Sequence, residues 1–166
     1  MPFSTLSPRV RNALFWLGWV ALTFCAPLFS IGSMPDDWYA RLHKPPFHPP
    51  SWIFGPVWTL LYLLMATAAW LVWKSPKSPV RTRALATYFL QLILNAAWTP
   101  VFFRFHQIGW ALLVVIALWN AIALCIGLFR QSRPLAAGLM APYLAWVTFA
   151  TILNFTLWQL NGSSPR

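Results

Sequence analysis

The sequence predicts an all-α integral membrane protein, a single domain over residues 1–166 built as a bundle of five transmembrane helices. Five stretches contain no Asp, Glu, Lys or Arg, and each is at least 20 residues long. A helix of about 20 residues crosses the roughly 30 Å of hydrocarbon in a bilayer. The stretches are too continuous for the alternating strands of roughly 10 residues that build a membrane barrel. The composition, 59% hydrophobic and 8% charged, is not that of a soluble domain.

Basic or proline-rich segments bound each predicted span. The first span follows Arg9 and Arg11, and the second lies between a proline-rich segment and Lys74. Short links join the last four spans, so consecutive helices should run antiparallel as neighbours. Pro100 and Pro142 lie inside the third and fifth spans, where each predicts a local kink. The predicted spans are about 12–29, 52–73, 84–103, 109–129 and 135–158, with an outer loop at 30–51.

The predicted outer loop is long and stiff. Ser33, Pro35 and the acids at 36 and 37 predict the start of a short helix, and Arg41 suits its end. The prolines at 45, 46, 49 and 50 predict an extended segment after it, because each fixes φ and removes a backbone donor. Two interpretations remain open: a lid over the bundle, or an ordered connector.

The basic residues predict an orientation and not a nucleic-acid partner, because they lie between the apolar runs and do not cluster on one element. Eight of them flank one side of the predicted bundle, and four lie on the other side with both acids. The basic side is therefore expected inside, with the N-terminus inside and the C-terminus outside. The eight are Arg9, Arg11, Lys74, Lys77, Arg81, Arg83, Arg130 and Arg133, and the four are Arg41, Lys44, Arg104 and Arg166.

Three spans place polar and aromatic residues on one helix face. In the predicted topology these faces lie within about 15 Å of the outer side, since a helix rises 1.5 Å per residue. Buried amides then have two interpretations: hydrogen-bonded contacts between helices, or polar groups of an aromatic-walled pocket for a flat, amphipathic ligand. The faces comprise Trp58, Tyr62, Met65 and Ala69; Gln91, Asn95, Trp98, Thr99 and Phe102; and Tyr143, Trp146, Ala150 and Asn154.

Groups for catalysis or metal binding are scarce. The spans contain no acid, Lys or His, which argues against an ion-driven pump and leaves no catalytic residues to name. The spacing of the three histidines does not predict a metal site, although His43 or His48 as an axial haem ligand is an alternative. Cys25 and Cys125 are interpreted as packing residues within apolar runs.

Three ordered motifs resemble the TspO family, whose members are known as tryptophan-rich sensory proteins or translocator proteins. The first covers the outer loop and the second span, the next lies in the third span, and the last lies in the fifth. Together they extend over roughly residues 35–158. The motifs are His43-Lys44-Pro45-Pro46-Phe47-His48-Pro49-Pro50-Ser51-Trp52 with Trp58-Thr59-Leu60-Leu61-Tyr62; Asn95-Ala96-Ala97-Trp98-Thr99-Pro100; and Pro142-Tyr143-Leu144-Ala145-Trp146.

The resemblance implies a homodimer of five-helix bundles with a ligand pocket beneath the first loop. Its implied ligands are porphyrins, haem and other flat hydrophobic molecules, with no obligatory cofactor. Phe155 and Gln159 depart from the sterol-associated pattern of the family, so specific sterol recognition is not expected. By matching position, the implied ligand-binding residues are Phe47, Phe54, Trp58, Tyr62, Asn95, Trp98, Trp146, Ala150 and Leu153.

Three functions are compatible with this resemblance. The leading hypothesis is a receptor or sensor that binds tetrapyrroles, with a regulatory or transport role, in a bacterial membrane. The first alternative is an enzyme that degrades porphyrin in light, in which tryptophans act as redox partners. The second alternative is a membrane scaffold that binds a partner protein.

Overall fold

The computed structural model describes residues 7–33 and 36–162 of the chain; Pro35 and Arg166, used above in predicting the loop helix and the orientation, lie outside these ranges. The fold is an all-α helical bundle. Its helices are α1 (Pro8–Thr23), α2 (Asp37–Arg41), α3 (Phe54–Trp73), α4 (Pro79–Thr99), α5 (Ile108–Ser132) and α6 (Pro134–Asn161).

The prediction of five membrane spans is confirmed. Five helical segments are long and apolar enough to cross a membrane, and all but the first consist largely of one long α-helix. In the first, α1 ends at Thr23 and a 3₁₀ turn, Ala26–Ser30, continues the segment. The segments are Pro8–Phe29, Ser51–Trp73, Pro79–Arg104, Ile108–Ser132 and Pro134–Asn161.

Helix α4 begins five residues before the predicted start of its span. The side chain of Ser78 accepts a hydrogen bond from the backbone N–H of Arg81 at 3.1 Å, and Pro79 occupies the first turn. Both features favour a helix start. The predicted span began only after Arg83 because charged residues were taken to lie outside the helix. In the structure the backbone is already helical through Arg81 and Arg83.

The helices form a ring in the order α1, α3, α6, α5, α4. Helix α4 closes the ring by packing against the 3₁₀ turn that follows α1. Ala66, Ala68 and Ala69 of α3 are fully buried, so the small face of this helix lies at the centre of the bundle. The end that carries residues 36–53 is called the loop end below, and the opposite one the basic end.

The kink predicted at Pro100 takes the form of a π turn. Residues Pro100–Arg104 follow α4 with wider hydrogen bonding: Phe105 N–H donates to Pro100 O at 3.0 Å, and Gln107 N–H donates to Val101 O at 3.1 Å. Single π turns of this kind are rare and frequently occur at functional sites. By contrast, Pro142 is accommodated inside a continuous α6.

Candidate functional site

Helices α3 and α6 carry two neighbouring groups of aromatic rings near the loop end, together called the aromatic wall below. Trp58 lies 5.4 Å from Tyr62 and 6.2 Å from Tyr143 between ring centroids, and Phe54 lies 5.9 Å from Trp146. These separations fall in the range of favourable aromatic contacts. Four of the predicted ligand-binding residues, Phe54, Trp58, Tyr62 and Trp146, are therefore brought together.

The wall continues outward to the loop. The ring of Phe149 lies 5.7 Å from that of Trp146 and 6.4 Å from that of Phe47. Phe47 is 47% exposed and lies at the rim of the site. The sequence prediction placed Phe47 among the ligand-binding residues but did not include Phe149, the residue that Phe47 contacts.

A hydrogen-bonded bridge joins three helices at the centre of the site. The Tyr62 hydroxyl donates to Asn95 Oδ1 at 2.7 Å, and Asn95 Nδ2 donates to the Tyr143 hydroxyl at 3.0 Å. Their exposed fractions are 6% for Tyr62, 6% for Asn95 and zero for Tyr143. The site therefore has a polar centre without formal charge, and α3, α4 and α6 each supply one group.

A second amide fixes Trp98. The indole Nε1 of Trp98 donates to Asn154 Oδ1 at 3.1 Å, and Asn154 Nδ2 donates to Ile108 O at 3.0 Å. The prediction that Gln91, Asn95 and Asn154 face the interior is confirmed, since none of them is more than 6% exposed. Two of these amides connect helices, while both amide atoms of Gln91 have no hydrogen-bond partner within the described residues.

Leu153 belongs to a smaller cluster that borders the aromatic wall. It packs with Phe102, Ala111 and Leu157 beside the π turn, and both Trp98 and Phe149 pack against this cluster. Ala150 is half-buried on α6, four residues beyond Trp146, and so follows the wall toward the loop end. The structure thus places Leu153 and Trp98 on the α5 side of the site.

Three further aromatic residues border the site but are absent from the predicted set. Tyr143 completes the bridge, Phe149 links the wall to Phe47, and Phe24 lies 5.4 Å from Tyr62 between ring centroids. The spacing of α6 had placed Tyr143 on the correct face. Nothing in the sequence pattern pointed to Phe24, because its position depends on how the segment after α1 packs.

The rings of the wall contact one another, so side chains occupy the space that a ligand would need. Two cavities lie outside the wall. One, of 170 Å³, lies between α5 and α6, where the Trp119 indole donates to Thr148 Oγ1 at 2.8 Å. The other, of 280 Å³, lies at the turn between α3 and α4. Binding at the wall therefore requires the rings to separate.

Contacts of Asn161 and His106 hold the outer loop against the bundle, and one further contact, between Tyr39 and His48, lies within the loop itself. Asn161 at the end of α6 bonds to the backbone of His43 twice: its Oδ1 accepts from the N–H and its Nδ2 donates to the C=O, each at 3.0 Å. His106 Nε2 lies 3.0 Å from Asp36 Oδ2, and its ring stacks on Trp38 at 4.2 Å. The Tyr39 hydroxyl and His48 Nε2 are 2.7 Å apart.

The short helix predicted in the loop is confirmed as α2, with Asp36 as its N-cap: the carboxylate accepts from Tyr39 N–H at 3.1 Å. This N–H, together with the His106 ring, lowers the pKa of Asp36 below its ordinary value. His106 has a φ of 55°, which is uncommon for a residue other than glycine. The loop is thus an ordered structure tied to the π turn and to α6.

Acidification from pH 7 to pH 5 is expected to loosen the loop through His48. Burial and the charge of Lys44 lower the pKa of His48 from its ordinary value of 6.5, while burial raises the pKa of Tyr39 and keeps its hydroxyl a donor. The neutral His48 ring accepts a hydrogen bond from the Tyr39 hydroxyl. Because the pKa of His48 is lowered in the folded protein, the stability that this bond contributes is complete above pH 6.5. It is lost as the pH falls through the pKa of His48 in the folded protein. Amide hydrogen exchange of residues 37–50 should show the loss.

The matched control for this effect is His48→Phe, which keeps a ring but cannot protonate. Once intrinsic exchange is corrected, its loop should lose less protection between pH 7 and pH 5 than the loop of the wild type. Asp36 remains ionised at pH 5 because its pKa is lowered from 3.8, so its cap should persist in both proteins. Equal acid loosening of wild type and His48→Phe would contradict the assignment to His48.

The chain is similar to one family of membrane proteins over most of its length. The model of the TspO/MBR family matches residues 15–159. The human translocator protein is 45% identical over 129 residues, which is 75% of each chain. The tryptophan-rich sensory protein of Cereibacter sphaeroides is 41% identical over 147 residues, covering 87% of this chain and 91% of the relative. The tryptophan-rich protein TspO of Archaeoglobus fulgidus is 38% identical over 144 residues, covering 86% of this chain and 92% of the relative.

Proposed function

The chain belongs to the TspO/MBR family, and from that premise we propose that it is a membrane receptor or sensor that binds tetrapyrroles within its helical bundle. Porphyrin and haem are the leading ligands, and the role is regulatory or in transport. The observation that carries the proposal is the aromatic wall of α3 and α6 with an uncharged amide bridge at its centre.

The chemistry of the wall suits a flat, conjugated macrocycle. Each aromatic pair contributes about 0.5–1.5 kcal/mol beyond area burial, so several indole and phenol faces give useful affinity without formal charge. The buried polar side chains at the site are amides and hydroxyls. A ligand with carboxylates would therefore keep them at the loop end, where Arg41 and Arg104 are exposed.

The outer loop covers the proposed entrance. Phe47 contacts the wall through Phe149, and Asn161 and His106 tie the loop to the bundle. Entry then requires the loop to detach before the rings of the wall separate. This favours the lid over the simple connector among the two interpretations of the loop.

The proposal includes an orientation and an assembly. Eight basic residues at one end favour a topology with the N-terminus inside, in a bacterial membrane. The homodimer remains a prediction from the resemblance.

The orientation can be tested with single cysteines introduced at 43 and 77 and a thiol reagent that does not cross the membrane. Labelling from outside is expected at 43.

Replacing Trp146 by Ala is expected to weaken porphyrin binding about tenfold or more, because the central ring between Phe54 and Phe149 is lost. The measurement is quenching of tryptophan fluorescence by protoporphyrin IX, titrated in the dark against protein in detergent. Saturable quenching in the wild type, weakened in Trp146→Ala, supports a porphyrin at the wall.

The control is Trp110→Ala, which also removes one tryptophan but lies on the outer surface with 66% of its side chain exposed. Its affinity should match that of the wild type. Non-saturating quenching that is equal in all three proteins would show partition of porphyrin into detergent. In that case the tetrapyrrole proposal fails.

A further inference from the structure

The basic end of the bundle has a charge that the chain itself does not neutralise. Eight of the twelve Lys and Arg residues lie there, whereas the only acids, Asp36 and Asp37, lie at the loop end. A helix spanning the bilayer separates these groups by roughly 30 Å, well beyond the Debye length of about 8 Å at physiological salt. The basic end must therefore meet anions from outside the chain.

Some of these cations already have neutral partners. Lys74 Nζ lies over the Trp70 ring at 4.4 Å, and Arg133 Nε donates to Ser75 Oγ at 3.2 Å. Lys77 and Arg81 differ from them, because together they line the 280 Å³ cavity at the turn between α3 and α4. Arg81 is half-buried there, whereas Lys77 is exposed.

Apolar side chains of α4 follow the cavity toward the centre of the bilayer, and they are called the apolar track below. Leu85 lines the cavity itself, and Phe89 and Ile93 follow at intervals of four residues on the same helix face. Phe89 is 40% exposed and Ile93 is 66% exposed, so the track faces lipid. From Arg81 to Ile93 the helix rises about 18 Å, which is close to the length of one fatty-acyl chain.

We infer that this cavity binds one anionic phospholipid. The phosphodiester lies between Lys77 and Arg81, and an acyl chain lies along Leu85, Phe89 and Ile93. The N-terminus of α4 adds its favourable dipole, since Ser78 begins that helix beside the cavity. Phosphate supplies the missing negative charge, and the apolar track selects a lipid over a soluble anion. This inference does not depend on the tetrapyrrole proposal.

The test compares lipid retention by native mass spectrometry in wild type and in the double variant Lys77→Gln/Arg81→Gln. Phosphatidylglycerol with palmitoyl and oleoyl chains is titrated against phosphatidylcholine with the same chains. Each cation near an anionic surface is worth about 1 kcal/mol, so loss of both should weaken phosphatidylglycerol binding roughly 10- to 30-fold. Phosphatidylcholine binding should be unchanged.

The matched control is Arg9→Gln/Arg11→Gln, which removes the same charge from the same end but outside the cavity. Its affinity for phosphatidylglycerol should stay within about twofold of the wild type, as expected where charge is exposed and screened. An equal loss in both double variants would overturn the inference in favour of a diffuse surface charge.

Two competition experiments distinguish binding of the whole lipid from binding of its headgroup alone. Glycerophosphoglycerol, which lacks acyl chains, and inorganic phosphate should not displace phosphatidylglycerol at millimolar concentration. Displacement by either would mean a soluble-anion site and would overturn the role of the apolar track.

If the Lys77→Gln/Arg81→Gln protein does not fold, a salt titration of the wild type replaces it. The preference for phosphatidylglycerol should fall as the salt concentration rises, and a constant preference would contradict the inference.

Discussion

Asn95→Leu is expected to lower the stability of the bundle by about 2–3 kcal/mol, the largest effect of any single amide replacement at the site. The substitution keeps nearly the same volume but removes both polar atoms of the side chain. The Tyr62 hydroxyl loses the acceptor that it meets at 2.7 Å, and the Tyr143 hydroxyl loses the donor at 3.0 Å. Both hydroxyls are buried, so water does not replace Asn95 at low cost.

The effect comes from the partners left behind more than from the bond itself. Replacing one member of a buried hydrogen-bonded pair strands the other, which costs about 1–3 kcal/mol for a neutral group. Tyr62→Phe in the Asn95→Leu background removes one stranded hydroxyl. That double variant should therefore be as stable as Asn95→Leu alone or more stable, whereas Tyr62→Phe alone should be less stable than the wild type.

Asn120→Leu is the matched control. Asn120 lies on α5 with its side chain exposed, and its Nδ2 donates only to Ile116 O on its own helix at 2.8 Å. Removing this amide from a lipid-facing surface should leave stability unchanged or raise it slightly. Thermal unfolding in detergent, followed by circular dichroism, measures the wild type and all four variants. A midpoint for Asn95→Leu no lower than that for Asn120→Leu would contradict the structural role of the bridge.

The identity of the spans follows from the sequence because lipid imposes a simple requirement. Each helix must present an uncharged run long enough to satisfy its backbone across the bilayer, and five such runs are visible by inspection. Helix ends are less predictable. The distribution of charge predicted that the third span begins at residue 84. The cap at Ser78 and the proline at 79 instead set the start of α4, so two arginines lie inside the helix.

Prolines show why local signals do not settle backbone geometry. Pro100 and Pro142 occur in similar apolar surroundings, yet one opens a π turn and the other stays within a continuous helix. A proline within a helix frees a backbone carbonyl, and its neighbours in the bundle decide how that group is satisfied. A proline in the sequence therefore shows where a helix is disturbed. Whether the helix opens into a π turn or stays continuous depends on contacts between helices.

The site shows the same division between pattern and packing. Helical spacing placed Asn95, Tyr62 and Tyr143 on inward faces, which the structure confirms. It did not show that Asn95 would join both tyrosines, because that requires the crossing geometry of α3, α4 and α6. Nor did spacing show that Leu153 would pack with Phe102 of the π turn and Ala111 of α5, in a cluster that borders the aromatic wall at Phe149.

Asn154→Leu is expected to produce the second large effect, a loss of about 1–3 kcal/mol in stability with a displaced Trp98. Asn154 Oδ1 is the acceptor for the Trp98 indole at 3.1 Å, and its Nδ2 reaches Ile108 O at 3.0 Å. One amide therefore ties α6 to the end of α4 and to the first residue of α5. Within residues 7–33 and 36–162, no other side-chain hydrogen bond is made by Trp98 Nε1 or Ile108 O.

The location of this junction makes the effect specific. Trp98 stacks on Phe102 at 5.2 Å between centroids, and Phe102 belongs to the π turn that leads to His106. A freed indole should therefore loosen the π turn and then the contact between His106 and Asp36. Amide exchange of residues 100–108 should rise in Asn154→Leu, while exchange at the basic end of α4 stays near that of the wild type.

A double-mutant cycle separates this mechanism from general loss of packing. Trp98→Phe keeps a ring beside Phe102 but removes the indole N–H. If the hydrogen bond carries the effect, Asn154→Leu should cost less in the Trp98→Phe background, with a coupling energy of about 1 kcal/mol. Additive losses would show that Asn154 acts through Ile108 alone. Because Trp98 borders the proposed ligand site, titration of the same variants with protoporphyrin IX would show whether the amide at 154 also affects ligand affinity.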